Sequence, residues 1–172
     1  MTARYTISFP DYTIGEEAYD KMYERNYFGM MMVERGDADA FITGLYTKYS
    51  NTIKVATEVV GVREGFHTFG TMHVVNSQKG TYFIADTLIN RHPDNNFLVD
   101  IARLSANTVE FFNEKPVMAM ISYSNFGTDE IGSPLKVHEA VEELHANYPN
   151  LVVDGEMQVN FALNREMRDE KY

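Results

Sequence analysis

The sequence contains no cysteine, which excludes disulfide bridges and thiolate metal sites and suits a reducing compartment. Basic charge is scarce: 15 Lys and Arg stand against 25 Asp and Glu, a formal net charge of -10. Such a field repels nucleic-acid phosphates and anionic membrane surfaces, and no basic cluster offsets it locally, so neither is an expected partner. No uncharged apolar run approaches the roughly 20 residues that span a bilayer, and the opening MTARYTISFP lacks a charged leader followed by an apolar core. A soluble, cytoplasmic chain is the expectation. Internal repeats, low-complexity tracts and linkers are also missing, as are the HExxH, GxGxxG and nucleophile-elbow patterns that would name a reaction from local spacing. What is present is 172 residues, 44% of them hydrophobic, enough for one well-cored domain.

Helical and extended periods alternate along the chain, which argues for a layered α/β fold. Residues 15–37 place Ala18, Met22, Tyr23, Tyr27, Met30 and Met31 near one helical face, with Gly29 as a candidate break and the methionines as core filler. Ala40 to Tyr46 reads as a short strand, and Thr52 to Val60 as a helix. HTFGTMHVV and TYFIADTLI, separated by NSQKG, read as an antiparallel hairpin. A long helix follows, with Phe97, Ile101, Leu104, Thr108 and Phe111 at helical spacing and Asp94 or Asn95 available as its cap. PVMAMISYS is apolar nearly throughout, as expected of a strand covered on both faces. The next helix is expected to start with Ser133 as N-cap and Pro134 at the first position, and to bury Val137, Val141, Leu144 and Tyr148. LVVDGEM supplies another strand and NFALNREMRDEKY a last helix, giving five strands and about five helices.

Between the apolar strand and the helix at Ser133 lies the loop SYSNFGTDEIGS. In open α/β sheets ligands sit at the carboxyl ends of strands, and this loop offers Ser122, Ser124, Asn125 and Ser133 as short hydrogen-bonding side chains. Gly127 and Gly132 permit close backbone approach, and the free N–H groups of the helix that follows favour an anion such as a phosphate, or a thioester oxygen. Asp129 and Glu130 oppose an anion, and any strand-to-helix connection needs small polar residues simply to turn.

Other chemistry-bearing residues have plainer readings. Glu34, Asp37 and Asp39 carry oxygen ligands suited to a hard cation, yet they also fit an ordinary acidic turn. His138 and His145 are two helical turns apart, too far for a shared metal ion, and read as packed or solvent-facing helix residues. His67 and His73, read as one strand, point to the same face about 20 Å apart at roughly 3.3 Å per residue, so no metal site is expected there.

Taken together, YFGMMMVERGDADAFITGL, PVMAMISYSNFGT and SPLKVHEAVEELHANYPNLVVDGEMQVNFALN resemble the phosphate acetyl/butyryltransferase family. SYSNFG and DGEMQ are most similar to the phosphotransacetylase-like C-terminal region of large bacterial NADP-dependent malic enzymes. The resemblance implies a three-layer α/β/α fold with a mixed, largely parallel sheet of about five strands, like a subdomain of isocitrate and isopropylmalate dehydrogenases. It also implies that residues 1–172 form a single domain that is a fragment of a larger phosphotransacetylase-like domain, the first subdomain and the acyl-transfer Ser, Arg and Asp lying outside it.

Two departures from the family pattern bear on chemistry. Where phosphotransacetylases carry SGxxHST, this chain reads TGLYTKYS: Thr43 replaces the first Ser, Thr47 the His, and Tyr46, Lys48 and Tyr49 add bulk. In DGxLQxD, Met157 replaces Leu and Asn160 replaces the second Asp, so that position cannot act as a charged partner or base. The resemblance therefore implies a regulatory and oligomerising portion of a malic enzyme, with acetyl-CoA as effector and with NADP, a divalent metal and the decarboxylation of malate belonging elsewhere in the same polypeptide. The alternative is a phosphate acetyltransferase fragment. Effector or substrate contacts are expected from Ser122, Ser124, Asn125, Gly127, Thr43, Gly44 and Lys48, with Arg63 as a further basic candidate, and a homo-oligomer is expected.

Overall fold

The computed structural model describes residues 16–170, and the chain divides between Val62 and Arg63 into two units. Among the described residues the first holds three helices: α1 (Glu16–Lys21), α2 (Arg25–Glu34) and α3 (Tyr49–Val59). The long helix expected over residues 15–37 is broken, but at residues 22–24 rather than at Gly29. Glu24 takes an extended backbone and its carboxylate accepts the N–H of Tyr27 at 3.3 Å, satisfying a donor that a continuous helix would have paired internally. Gly29 stays inside α2 because the ring of Phe41 lies across it; an added Cβ would sit 2.1 Å from that ring. Tyr27, Met30 and Val55 form the core of this unit, with Phe41, Ala56 and Val59 packed against them, so the methionine stripe is core as expected.

The segment from Ala40 to Tyr46, expected as a strand, is irregular backbone. Gly44 has φ 143 and Leu45 φ 61, values that turn the chain instead of extending it, and Ile42 and Leu45 are almost fully exposed.

Among the described residues the strands form two separate two-stranded sheets, both in the second unit, and not the expected single sheet of about five strands. β1 (Met72–Ser77) and β2 (Gly80–Ala85) form the antiparallel hairpin, closed by Gln78 and Lys79. β1 begins after His67, so His67 and His73 do not share a strand. His67 instead donates its backbone N–H to the buried carboxylate of Asp100 at 3.0 Å. α4 (Asn95–Phe111) opens on Asp94, whose carboxylate accepts the N–H of Phe97 at 2.8 Å as the sequence suggested. β3 (Val117–Ile121), α5 (Gly132–Asn147) and β4 (Val152–Met157) form a parallel crossover unit. Val99 and Ala102 of α4 meet Ala140 and Leu144 of α5 and Val153 of β4 in one core. β3 is covered on that side alone: Val117 is 73% and Ile121 45% exposed, so the expectation of burial on both faces fails.

α5 starts one residue before the expected cap. Ile131 occupies the N-cap position, without a side-chain bond, and Pro134 falls within the first turn, where its missing N–H costs nothing. The C-terminal helix is two short ones, α6 (Val159–Leu163) and α7 (Arg165–Asp169), because Asn164 interrupts them and caps the second through the N–H groups of Glu166 and Met167.

An irregularity in the parallel pair shapes the connection from β3 to α5. Met120 pairs with Gly155, but Ile121 pairs with Met157, which leaves Glu156 as an extra residue on β4. The bulge ends the simple alternation of that strand, and Gly155, Glu156 and Met157 are all buried in succession.

Candidate functional site

Ser122, Ser124, Asn125 and Gly127 lie in the connection between β3 and α5, next to the bulge of β4. Ser122 continues the ladder, donating its N–H to the carbonyl of Met157 at 2.9 Å, and its buried hydroxyl has no hydrogen-bond partner among the described residues. Ser124 is buried, with its hydroxyl 2.7 Å from that of Thr128. The side-chain carbonyl of Asn125 accepts the N–H of Gln158 at 2.8 Å, tying the loop to the start of α6. Ser124 and Asn125 are thus committed to the shape of the loop, while Ser122 keeps an uncommitted hydroxyl.

The turn itself is tight. Phe126 has φ 45 and Gly127 φ 74, two successive left-handed residues, the first of which costs a side-chain-bearing residue about 1–3 kcal/mol. Residue 156 holds both in place: its carbonyl accepts the N–H of Phe126 at 2.8 Å and its carboxylate the N–H of Gly127 at 2.7 Å. The Phe126 ring meets that of Phe161 edge-on, with centroids 5.5 Å apart. Glu156 is fully buried, and its second carboxylate oxygen lies 3.4 Å from Nδ1 of His138 on α5. That contact has ion-pair distance without hydrogen-bond alignment, and neither atom bonds elsewhere among the described residues. His138 is thus a packed helix residue with a specific partner, while His145 meets the carbonyl of Val153 at 2.8 Å.

The outer half of the loop carries the negative charge. Asp129 accepts the phenol of Tyr123 at 2.9 Å, a bond that raises the Tyr123 pKa, and also the N–H of Ile131 at 3.2 Å. Neither an acidic side chain in the first turn nor a side-chain cap occupies the start of α5. The amides of Ser122, Asn125, Phe126 and Gly127 are thus engaged within the fold, Ser122 keeps a buried hydroxyl without a partner among the described residues, and Asp129 frames the outer side.

Thr43, Gly44 and Lys48 lie in the first unit. Thr43 donates its hydroxyl to the side-chain carbonyl of Asn26 at 2.6 Å, and Asn26 is buried, with its amide nitrogen unbonded among the described residues. Gly44 supplies the turn that comes next, its carbonyl accepting the N–H of Tyr46 at 2.7 Å. Lys48 stands exposed as the N-cap residue of α3, and Arg63 is exposed at the start of the second unit. The first unit also has an open apolar groove of about 540 Å³ lined by Met22, Phe28, Met32, Ala38 and Phe41. Arg25 is the one charged residue of its lining among the described residues.

Glu156, His138 and Asn26 were not legible as site residues. The available signal was Glu156 next to apolar residues of a strand that also carries Asp154, a carboxylate that burial makes costly unless it is paired. Among the described residues no three His, Asp or Glu side chains are placed to share a metal ion, Glu34, Asp37 and Asp39 included. No helix among them is long and apolar enough to cross a membrane.

The profile of the phosphate acetyl/butaryl transferase family matches residues 11–172. The chain is 38% identical over 143 residues to an NADP-dependent malic enzyme of Escherichia coli, an alignment covering 83% of this chain and 19% of that protein. It is 31% identical over 156 residues to a phosphate acetyltransferase of Bacillus subtilis, covering 91% of this chain and 48% of that protein. A crystal structure of a phosphotransacetylase from Streptococcus pyogenes superposes with a TM-score of 0.79 at 30% identity, over 90% of this chain and 47% of the other. The chain thus spans about a fifth of the malic enzyme and about half of the Bacillus subtilis acetyltransferase. With a mixed α/β arrangement of phosphotransacetylase type and a profile match running to its last residue, this chain belongs to the phosphate acetyl/butaryl transferase family.

Proposed function

We propose that this chain is the regulatory and oligomerising portion of an NADP-dependent malic enzyme, that it completes a three-layer scaffold with further segments of the same polypeptide, and that it binds acetyl-CoA as an effector. The observation that carries this reading is Thr43. At the position where acetyltransferases of the family resemble one another in carrying serine, its hydroxyl proton is given to buried Asn26 at 2.6 Å, and His is replaced nearby by Thr47. A hydroxyl already donating to an amide, with no imidazole beside it in sequence, is poorly equipped to serve acyl transfer. Asn160, exposed on α6, likewise lacks the charge its aspartate counterpart would bring.

The effector reading uses the loop at Ser122 to Gly127 for the thioester end, where the buried Ser122 hydroxyl has no partner among the described residues, and the exposed cation Arg63 of the same unit for phosphate groups. Lys48, exposed in the first unit, is a separate candidate for a phosphate. NADP and the divalent metal belong to the catalytic region elsewhere in the polypeptide. The setting is cytoplasmic, and the assembly a homo-oligomer. Titrating acetyl-CoA into the full-length protein while following malate-dependent NADPH production tests the proposal. A change of rate with measurable binding heat supports it; an unchanged rate without binding heat rules it out.

The second reading, a phosphate acetyltransferase fragment, is favoured by the likeness to solved phosphotransacetylases. Release of CoA from acetyl-CoA in the presence of inorganic phosphate is its assay, and turnover by the full-length protein would displace the regulatory reading.

A further inference from the structure

We propose that Glu156 is a positioning residue for the loop of residues 122–131, and that His138 is the partner that keeps its carboxylate in place; this rests on reading that loop as a ligand-binding element. The bulge makes Glu156 an extra residue on β4, and it leaves the side chain buried between the loop and α5. A buried carboxylate needs donors on both oxygens. One oxygen has the Gly127 N–H at 2.7 Å; the other faces Nδ1 of His138 at 3.4 Å. A ring nitrogen presenting its lone pair would repel the carboxylate, so Nδ1 is assigned as the protonated nitrogen from this contact.

The consequence lies in the turn. Phe126 and Gly127 both have positive φ, and the donors they extend to residue 156 are consecutive amides. Strained backbone of this kind persists only where its surroundings over-determine it. Without a charged, anchored acceptor at Glu156, the Gly127 amide loses its partner and the stretch from Ser124 to Thr128 can relax. His138, half-exposed on α5, therefore acts on the loop through Glu156 without touching it.

The test uses the full-length protein in four forms: wild type, Glu156→Gln, His138→Ala and His138→Arg. Amide hydrogen exchange is followed across residues 124–131 and across the α4 and α5 core, together with acetyl-CoA titration by calorimetry. A hydrogen bond to a charged acceptor is roughly twice as strong as one to a neutral acceptor, so Glu156→Gln should speed exchange at Gly127 by about tenfold, and His138→Ala, which leaves the second carboxylate oxygen without a facing donor, should speed it in the same direction, while core exchange stays unchanged. His138→Arg, which keeps an N–H donor at that position, should restore the slow rate, and acetyl-CoA affinity should follow the same order. If Glu156→Gln fails to fold, the two His138 variants decide the question, since that side chain is partly at the surface. Unchanged Gly127 exchange in His138→Ala, or acceleration of loop and core together, overturns the proposal. Wild type that takes no acetyl-CoA while the exchange pattern holds supports the Glu156 anchor and removes the effector reading. Binding that is equally tight in all four forms overturns the anchor and leaves the effector reading standing.

Discussion

Gly155→Ala should be among the most damaging single-methyl additions in this chain. Gly155 has φ 145, and a Cβ there would lie 2.5 Å from the backbone carbonyl oxygen of Met120 and 3.0 Å from its Cβ. A residue with a side chain pays about 1–3 kcal/mol for such a backbone conformation. Overpacking adds about 1–3 kcal/mol, and here the obstacle is the main chain of β3, which cannot swing aside as a long side chain would. A loss of about 2–6 kcal/mol is a large fraction of the about 5–15 kcal/mol that holds a typical domain together. At about 2–4 °C per kcal/mol for a chain of this size, the midpoint of thermal unfolding should fall by at least about 4–8 °C. Urea titration should show a lower midpoint with an unchanged slope. A melting temperature within about 2 °C of wild type would refute the claim that β3 and β4 approach this closely.

Three further outcomes follow from packing and charge. Burial alone would raise the Asp86 carboxyl, but the backbone and side-chain donors of Thr71 and Asn90 outweigh it and hold its pKa below the ordinary value. Such a group stabilises the fold above the unfolded value near about 4 and loses that contribution as pH falls through the folded one, so Asp86→Asn should flatten the acid side of a plot of melting temperature against pH below about pH 4. Arg103 is 3.1 Å from Asp100 and lies over the rings of Phe66 and Tyr148 at 4.5 and 4.6 Å, so Arg103→Met should cost about 2–3 kcal/mol by urea unfolding, partly recovered when Asp100→Asn is added. Gly29→Ala gains about 1 kcal/mol of helix propensity but meets the Phe41 ring at 2.1 Å, so it should be neutral to destabilising by about 2 kcal/mol and become stabilising in a Phe41→Leu background.

The parts of the fold that could be read in advance are those whose signals are local. Asp94 caps α4 where a short acceptor precedes a helical period, the hairpin turns where Asn, Ser and Gly cluster, and the βα loop falls where an apolar run meets two serines. Ala40 to Tyr46 misled because its composition suits a strand while Gly44 and Leu45 turn the backbone, and no periodicity reports φ. The break in the first helix was misplaced for a related reason: Gly29 is the weaker helix former, yet Phe41 packs on it, and the capping carboxylate of Glu24 decides where α2 starts. Ser122, Ser124, Asn125 and Gly127 could be nominated together since they are neighbours in the chain. Glu156 and His138 could not, because a bulge and a crossover helix bring them together, and neither leaves a trace in spacing.

The extra residue in β4 also has a practical bearing on mutagenesis. Up to Val153 the strand serves the packed interior, whereas from Glu156 onward it serves the loop through Gly127, Phe126 and Asn125. Libraries sorted by expression or solubility will weed out packing defects in either part and pass as healthy those that only loosen the loop. Variants around this junction therefore have to be ranked by a ligand or exchange readout, since yield alone is blind to them.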